Sequence, residues 1–391
     1  MKESLKPYFS RSLQGGEGRL HLAAHSHHLW PDVSYAAHLQ AWEDAARLWD
    51  AKWDRVFDHV IPVAQSHLAR HLNIPDPGAI TFAPNTHEFV QRIFSCLPLD
   101  RTPRVLSSDS EFHSFSRQAQ RLAQDGVIEL HRVPTAPFAD FVERFAHAAQ
   151  SGEFDLIFVS QVFFNSSFAI ADLDDLVQCI AGSGAIIVID GYHGFMARPT
   201  DLSRIWQRAF YLAGGYKYAM AGEGVCFMHC PPGIARSPRD TGWFASFGTL
   251  DQGRTGGVPY AADGGRFLGA TFDPTGLHRL NAVMHWLDGL GLEAPEIHAR
   301  AHAMQYAVMA ALDRSKIPGL RPADLLVALG DANRGNFLAF DSAQSPALHE
   351  RLRAAGIVAD LRGSVLRLGF GLYHDLADAP AIAGRIAAAL A

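Results

Sequence analysis

The sequence predicts an α/β fold in which a mostly parallel sheet is covered on both faces by helices, with a smaller α+β unit at the C-terminal end. Three observations carry this expectation. Short, continuously apolar runs recur through the middle of the chain, helix-like segments lie between them, and the rhythm breaks after residue 230 to resume in another pattern after 275. Strands that are apolar throughout, rather than alternating, belong to sheets buried on both faces.

The apolar runs are RVLSS (104–108), GVIELHRV (126–133), FDLIFVSQV (154–162), GAIIVID (184–190), AFYLAGG (209–215) and GVCFMHC (224–230). FSRQAQRLAQ (115–124) and LDDLVQCIAG (173–182) carry helical spacing between them. Upstream, Leu39, Trp42, Ala46, Trp49 and Trp53 recur at three- and four-residue intervals after Pro31-Asp32, which predicts an amphipathic helix with its tryptophans in the core. Residues 231–275, rich in Gly, Pro and polar side chains, read as a long irregular connection. A connection of that length in a compact domain is functional or lies at an interface. Helices are expected near 277–291 and 295–313, strands near 336–341 and 365–371, and an alanine-rich helix at the end. The chain of 391 residues suits a large domain (22–275) and a small C-terminal one (276–391), with an N-terminal segment (1–21) packing on the latter.

Composition narrows the function classes. With 48% hydrophobic and 19% charged residues the chain reads as an ordinary globular protein. A net charge of −6 gives no electrostatic footprint for nucleic acid. No apolar run approaches the ~20 residues that span a bilayer. MKESLKPYFS lacks the apolar centre of a signal peptide, so a cytoplasmic location is expected. Four cysteines are too few for a disulfide framework. Cys226 and Cys230 share one face of a strand, where a redox pair is conceivable, but packing as small hydrophobes is the better reading.

Ligands of open parallel sheets bind at the carboxyl ends of the strands. GAIIVID ends at Asp190 with His193 just beyond it, and AFYLAGGYKYAMAGEG places Lys217 after the next strand, between Tyr216 and Tyr218. A lysine and a carboxylate at neighbouring strand ends suit pyridoxal phosphate, which needs a Schiff-base lysine and an acid that keeps its ring nitrogen protonated. His193 reads as a neighbour of that ring. Asn85, Thr86 and His87 open a helix-like run whose N–H groups could take a phosphate, besides the simpler reading of Asn85 or Thr86 as a helix cap. Arg367, within the apolar VLRLGFG, is costly to bury unless it meets an anion such as a substrate carboxylate. Arg362 is the alternative and reads better as a turn residue.

Four motifs, GYKYAMAGEG, DGYH, TGWF (241–244) and VLRLGFGLYH, resemble the class V aminotransferase superfamily of fold-type I pyridoxal-phosphate enzymes, most nearly the kynureninases. The resemblance implies a sheet of the seven-stranded type, an amino-acid substrate, and a homodimer with active sites at its interface. It gives Lys217 and Asp190 their catalytic roles and makes Tyr216 a phosphate ligand and proton donor. Phe112 would cover the ring, with His113 as its competitor, and Asn165 would reach the ring hydroxyl. Trp243 and Thr271 would act on the neighbouring subunit's cofactor, and Arg367 would hold the substrate carboxylate. Two stretches depart from the kynureninase pattern: FHSF stands where that family has Phe-Pro-Thr-Asp, and SQVFFNSS where it has His-Val-Asn-Tyr-Lys-Thr-Gly. The reaction implied is hydrolytic Cβ–Cγ cleavage, with amino transfer to a keto acid as the alternative. A cysteine desulfurase is disfavoured, because no cysteine follows Cys230 to serve as a mobile nucleophile. A non-catalytic relative would have lost Lys217 or Asp190.

HLAAHSHHLWP (21–31) raises a separate question, whether its histidines bind metal, as in a metal-dependent hydrolase, or wall a pocket. No Cys or carboxylate lies between His21 and Asp32 to complete a ligand set, so no metal is expected. In the resembling family this segment reads Asn-Ser-Leu-Gly and crosses the substrate pocket. Ser26 falls at the family's serine, and His25 and His27 are expected to face the substrate. The histidines thereby point to a substrate other than the family's usual one.

Overall fold

A computed structural model describes residues 4–249 and 257–391. Its centre is a seven-stranded sheet of β1 (Ile80–Ala83), β2 (Arg104–Ser108), β3 (Glu129–Val133), β4 (Leu156–Ser160), β5 (Ile186–Asp190), β6 (Ala209–Gly214) and β7 (Cys226–His229). The spatial order is β1-β7-β6-β5-β4-β2-β3. Five strands, β3 through β6 by way of β2, run parallel, while β7 is antiparallel to both β6 and β1. Six strands coincide with the apolar runs. The seventh, β1, is only four residues long, too short to stand out by composition.

Successive side chains on these strands feed two cores. Ile157, Val159, Ile187, Ile189 and Tyr211 face one, with Phe141, Phe145 and Leu176 from covering helices. Phe158, Val188, Phe210 and Leu212 face the other, with Phe89, Phe115 and Phe267. Phe115 stacks on Phe158 with centroids 3.7 Å apart. Each such buried aromatic contributes roughly 2–3 kcal/mol through removal from water. The sheet is therefore a rigid platform, and its strand ends are fixed points from which polar side chains can be aimed.

A smaller antiparallel sheet follows: β8 (Phe337–Asp341), β9 (Asp360–Arg362) and β10 (Val365–Gly369), in the order β9-β10-β8. Leu20–His21 pairs in parallel with Ile357–Val358, so the N-terminal segment is stitched to this C-terminal region.

Helix α1 (Asp32–Leu48) corrects one expectation. Leu39, Trp42 and Trp49 lie at the surface, Trp42 being 72% and Trp49 78% exposed. The side of α1 that is buried carries Ser34 and Asp44, and the helix ends at Trp49 with φ 52°, which breaks the register of the stripe. Only Trp53 packs inward, edge-on to Phe244 and Phe272. Residues 231–275 form an irregular connection with short 3-10 turns at Trp243–Thr249 and Gly264–Phe267; positions 250–256 lie outside the described residues. Cys226 and Cys230 are free, buried thiols. Among the described residues no helix is long and apolar enough to cross a membrane.

Candidate active site

The carboxyl ends of β4, β5 and β6 lie side by side, with Ser160 in register with Asp190 and Asp190 with Leu212. A cavity of about 330 Å³ opens above them, lined among others by Asn85, Thr86, Phe112, Asp190, Tyr216 and Lys217. Asp190 is fixed by the N–H of Tyr192, which donates to its Oδ1 at 2.9 Å. Burial raises its pKa, opposed by that N–H and by Lys217. Lys217 is itself buried, and burial brings its ammonium down to about 7 against the pull of Asp190, with Arg367 adding to the depression. Its Nζ lies 2.5 Å from Nε2 of His193. Burial, then the charge of Lys217, holds His193 well below its ordinary pKa, so the ring is neutral.

Aromatic rings surround the amine. Its Nζ is 4.9 Å from the ring centre of Tyr192, 5.6 Å from Tyr216 and 5.7 Å from Phe112. Burial pushes the Tyr216 phenol up to about 12, so it carries its proton at neutral pH. The next tyrosine of the motif points the other way: Tyr218 Oη donates to the carbonyl of Phe370 at 2.8 Å and anchors the lysine loop to the C-terminal region. Gly222 in the following turn has φ +75°, and a Cβ there would stand 2.3 Å from the Trp30 ring. Glycine is thus required both by conformation and by space.

At the other end, α2 (Thr86–Phe94) begins at the cavity wall. Asn85 is its cap, accepting from the Glu88 N–H at 3.1 Å, while Thr86 and His87 supply the first turn. Phe112 precedes α3 (His113–Gln124), with Phe164 edge-on to it at 5.4 Å. Of these two neighbours it is Phe112 that lines the cavity beside Lys217; His113 turns toward Phe164, at 5.0 Å.

The remaining expectations divide. Asn165 does not line the cavity: its Nδ2 donates to Ser110 at 3.2 Å, because the chain turns sharply at 163–168, and Val162 and Phe164 present themselves instead. Trp243 packs against Phe244 and Phe247 and is half exposed. Thr271 lines a separate cavity of about 340 Å³ with Gly242, Glu88 and Arg92. Neither reaches Lys217 within its own chain.

Arg367 is buried, and β9–β10 register sets it directly opposite Asp360. One arm donates to Asp360, the other to the carbonyl of Phe164. Its pKa is lowered to about 10, by burial first, with Asp360 opposing. Arg362 is not a bystander, since its Nη1 lies 2.8 Å from the other Asp360 oxygen.

The N-terminal histidines disperse. His21 Nδ1 meets the Tyr373 hydroxyl at 2.6 Å. His25 is buried against Phe337, centroids 4.4 Å apart, with Nε2 3.9 Å from Asp360. Ser26 contacts the His27 ring, which stacks on Tyr216 at 4.9 Å. His28 donates its backbone N–H to Tyr216 O, while its ring packs among Phe9, Tyr218 and Tyr373. Among the described residues no three His, Cys, Asp or Glu converge as metal ligands.

Tyr192, Ser160, Glu111 and Asp360 are site residues that sequence reasoning missed. Glu111 is fully buried and accepts from Ser108 and Ser160, each at 2.6 Å. Burial raises its pKa to about 7, and Asp190 adds to the rise. An acid next to Phe112 in SDSEFH was the one available signal.

A near-neutral amine, a carboxylate on the floor, an aromatic cover and a helix start form a donor set that fits pyridoxal phosphate. The sequence profile described as aminotransferase class-V matches residues 54–358. The chain is 22% identical over 329 residues to a probable cysteine desulfurase of Vibrio cholerae, covering 83% of this chain and 76% of that one. It is 29% identical over 172 residues to isopenicillin N epimerase of Streptomyces clavuligerus, 44% of this chain and only 43% of that protein's length. Among solved structures, the cystine C–S lyase C-DES in complex with cysteine persulfide superposes with a TM-score of 0.79 at 17% identity, over 96% of this chain and 98% of that one. The cysteine desulfurase CsdA from Escherichia coli gives a TM-score of 0.79 at 19% identity, over 98% and 97%.

Proposed function

This chain belongs to the class-V aminotransferase family, and from that premise we propose that it cleaves the Cβ–Cγ bond of an amino acid with a neutral aromatic side chain, in the manner of a kynureninase. It is a pyridoxal-phosphate-dependent enzyme. When bound, the cofactor supplies an electron sink for the carbanion formed at the substrate's α-carbon. Lys217 is the residue to hold its aldehyde, Asp190 the proton on its ring nitrogen, and α2 its phosphate.

The observation that carries the finer reading is the pairing of an acid, Tyr216, with an aromatic wall of Phe112 and Phe164 in the cavity of Lys217. Lys217, as a neutral amine, takes the α-proton. Water adds to the γ-carbonyl and leaves with the acyl group as a carboxylic acid, while Tyr216, protonated, gives a proton to the β-carbon that is released. Arg367 fixes the carboxylate so that the scissile bond faces these groups. Trp243 and Thr271, turned away from their own cavity, would complete the site of a second subunit in a homodimer.

A cysteine-based desulfurase reading gains no support from Cys226 or Cys230, which are buried and which burial pushes up to about 12. A second reading, carbon–sulfur lysis, draws on the fold shared with C-DES along nearly the whole chain. It uses the same Lys217 and Arg367 with another leaving group. The test is incubation of the reconstituted enzyme with L-kynurenine, with L-cystine, and with amino-acid and keto-acid pairs. Anthranilate plus alanine supports the proposal; persulfide or a new amino acid replaces it by lysis or transamination.

A further inference from the structure

Around Arg367, which is buried against the cavity residue Phe164 and does not itself line the cavity, several buried polar atoms lack partners. They are Nε of Arg367, Nε of Arg362 and both ring nitrogens of His25. Leaving buried N–H groups unpaired is costly, and such groups in one place mark where a ligand belongs. All of them surround Asp360, which is nearly buried and takes Arg367 on one oxygen and Arg362 on the other. Two guanidiniums around one carboxylate leave a net charge of +1. His25, held well below its ordinary pKa by burial and by Arg367, adds none.

We propose that Asp360 is a specificity-determining residue: by bridging Arg362 and Arg367 it sets the anchor to accept one carboxylate and to refuse substrates that carry a second. This rests on the reading of Arg367 as the substrate-carboxylate anchor and extends it to the side-chain class. Both arms of Arg367 are already engaged, so the incoming carboxylate meets its Nε edge. The rings packed on Arg367, Phe164 and Phe337, and Phe112 edge-on to Phe164, offer a second anion no hydrogen bond. The cations close by are Lys217, committed to the cofactor, and the two arginines, half neutralised by Asp360. An anionic side chain would have to desolvate against aromatic rings or face Asp360, and rejection of this kind is a device of specificity.

The test uses the reconstituted holoenzyme and two probes without an amine, 3-phenylpropionate and succinate, with affinities from calorimetric titration and thermal shift. The wild type should bind 3-phenylpropionate at least about tenfold more tightly than succinate. Asp360→Asn should erase that preference by raising the anchor's charge, whereas Asp360→Glu should keep it. Arg362→Gln should weaken both probes, which keeps the proposal testable if Asp360→Asn does not fold. An equal affinity of the wild type for both probes, an unchanged ratio in Asp360→Asn, or unaltered binding in Arg362→Gln would overturn it. Failure of the underlying reading looks different: Arg367→Gln would bind 3-phenylpropionate as tightly as the wild type, whatever the probe ratio.

Discussion

The two ends of the site, Lys217 in the cavity wall and Arg367 buried against Phe164, use charge in opposite ways. At the Lys217 end a lysine and an aspartate are desolvated together, and the amine falls to about 7, where a small change of surroundings moves its proton. At the Arg367 end a guanidinium, lowered only to about 10, stays charged at any working pH and is held by Asp360 and a backbone carbonyl. One end is built to move protons and the other to hold a fixed charge. Lysine suits the first because its pKa shifts readily on burial, arginine the second because its does not.

The sharpest way to break this contrast is Lys217→Ala. Turnover should fall by about ten-thousand-fold or more, and the visible band of lysine-bound cofactor should vanish. A variant that kept the band would place the attachment elsewhere. Asp190→Asn should follow with a loss of roughly a hundred- to a thousandfold in kcat at little change in KM, since it withdraws an electrostatic partner felt mainly as charge develops. Equal losses in kcat and binding would instead mean that Asp190 merely positions the ring.

Arg367→Gln should act on the opposite side of that split. The expected rise in KM corresponds to about 2–5 kcal/mol for a buried charge pair that loses one member. A change confined to kcat would contradict the anchoring role. The two ends also communicate: Arg367 is among the causes that lower Lys217, so its removal should shift the amine upward. In the wild type kcat should climb as pH rises through about 7, because only the neutral amine accepts a proton. In Arg367→Gln that rise should lie at higher pH. Identical profiles would show the two ends to be independent.

The smallest effect belongs to Glu111, beneath the reactive end. Its folded pKa of about 7 exceeds its usual 4.5, so the stability contributed by its protonated form is complete below 4.5 and lost as pH rises through 7. Glu111→Gln should therefore gain on the wild type as pH goes from acidic to alkaline, by at most about 3 kcal/mol. Denaturant midpoints across that range measure it; a constant difference would mean that Glu111 does not titrate.

Asp190 and Lys217 were legible because their strands are apolar throughout and end abruptly in glycine, aspartate and lysine, which confines the chemistry to the rim. Phe112 was legible only through the resemblance, and His113 could be separated from it only once α3 had fixed where each ring points. The tryptophan stripe misled because spacing reports that a helix has an apolar face, not which neighbour covers it. Asn165 was misplaced by a turn whose shape depends on what packs beneath it.

HLAAHSHHLWP shows the same division. Its composition suggests one cluster, yet the fold sends His21 to Tyr373, His25 to Asp360, His27 to Tyr216 and His28 into the aromatic core. The sequence by itself determined the layers of the fold, the strand ends, and the lysine and aspartate that stand on them, since these follow from local hydrophobic pattern and residue chemistry. The tertiary structure alone decided that Asp360 faces Arg367 and that Glu111 lies beneath Ser160. Those juxtapositions depend on strand register and on segments far apart in the chain, and no local pattern encodes a distance between them.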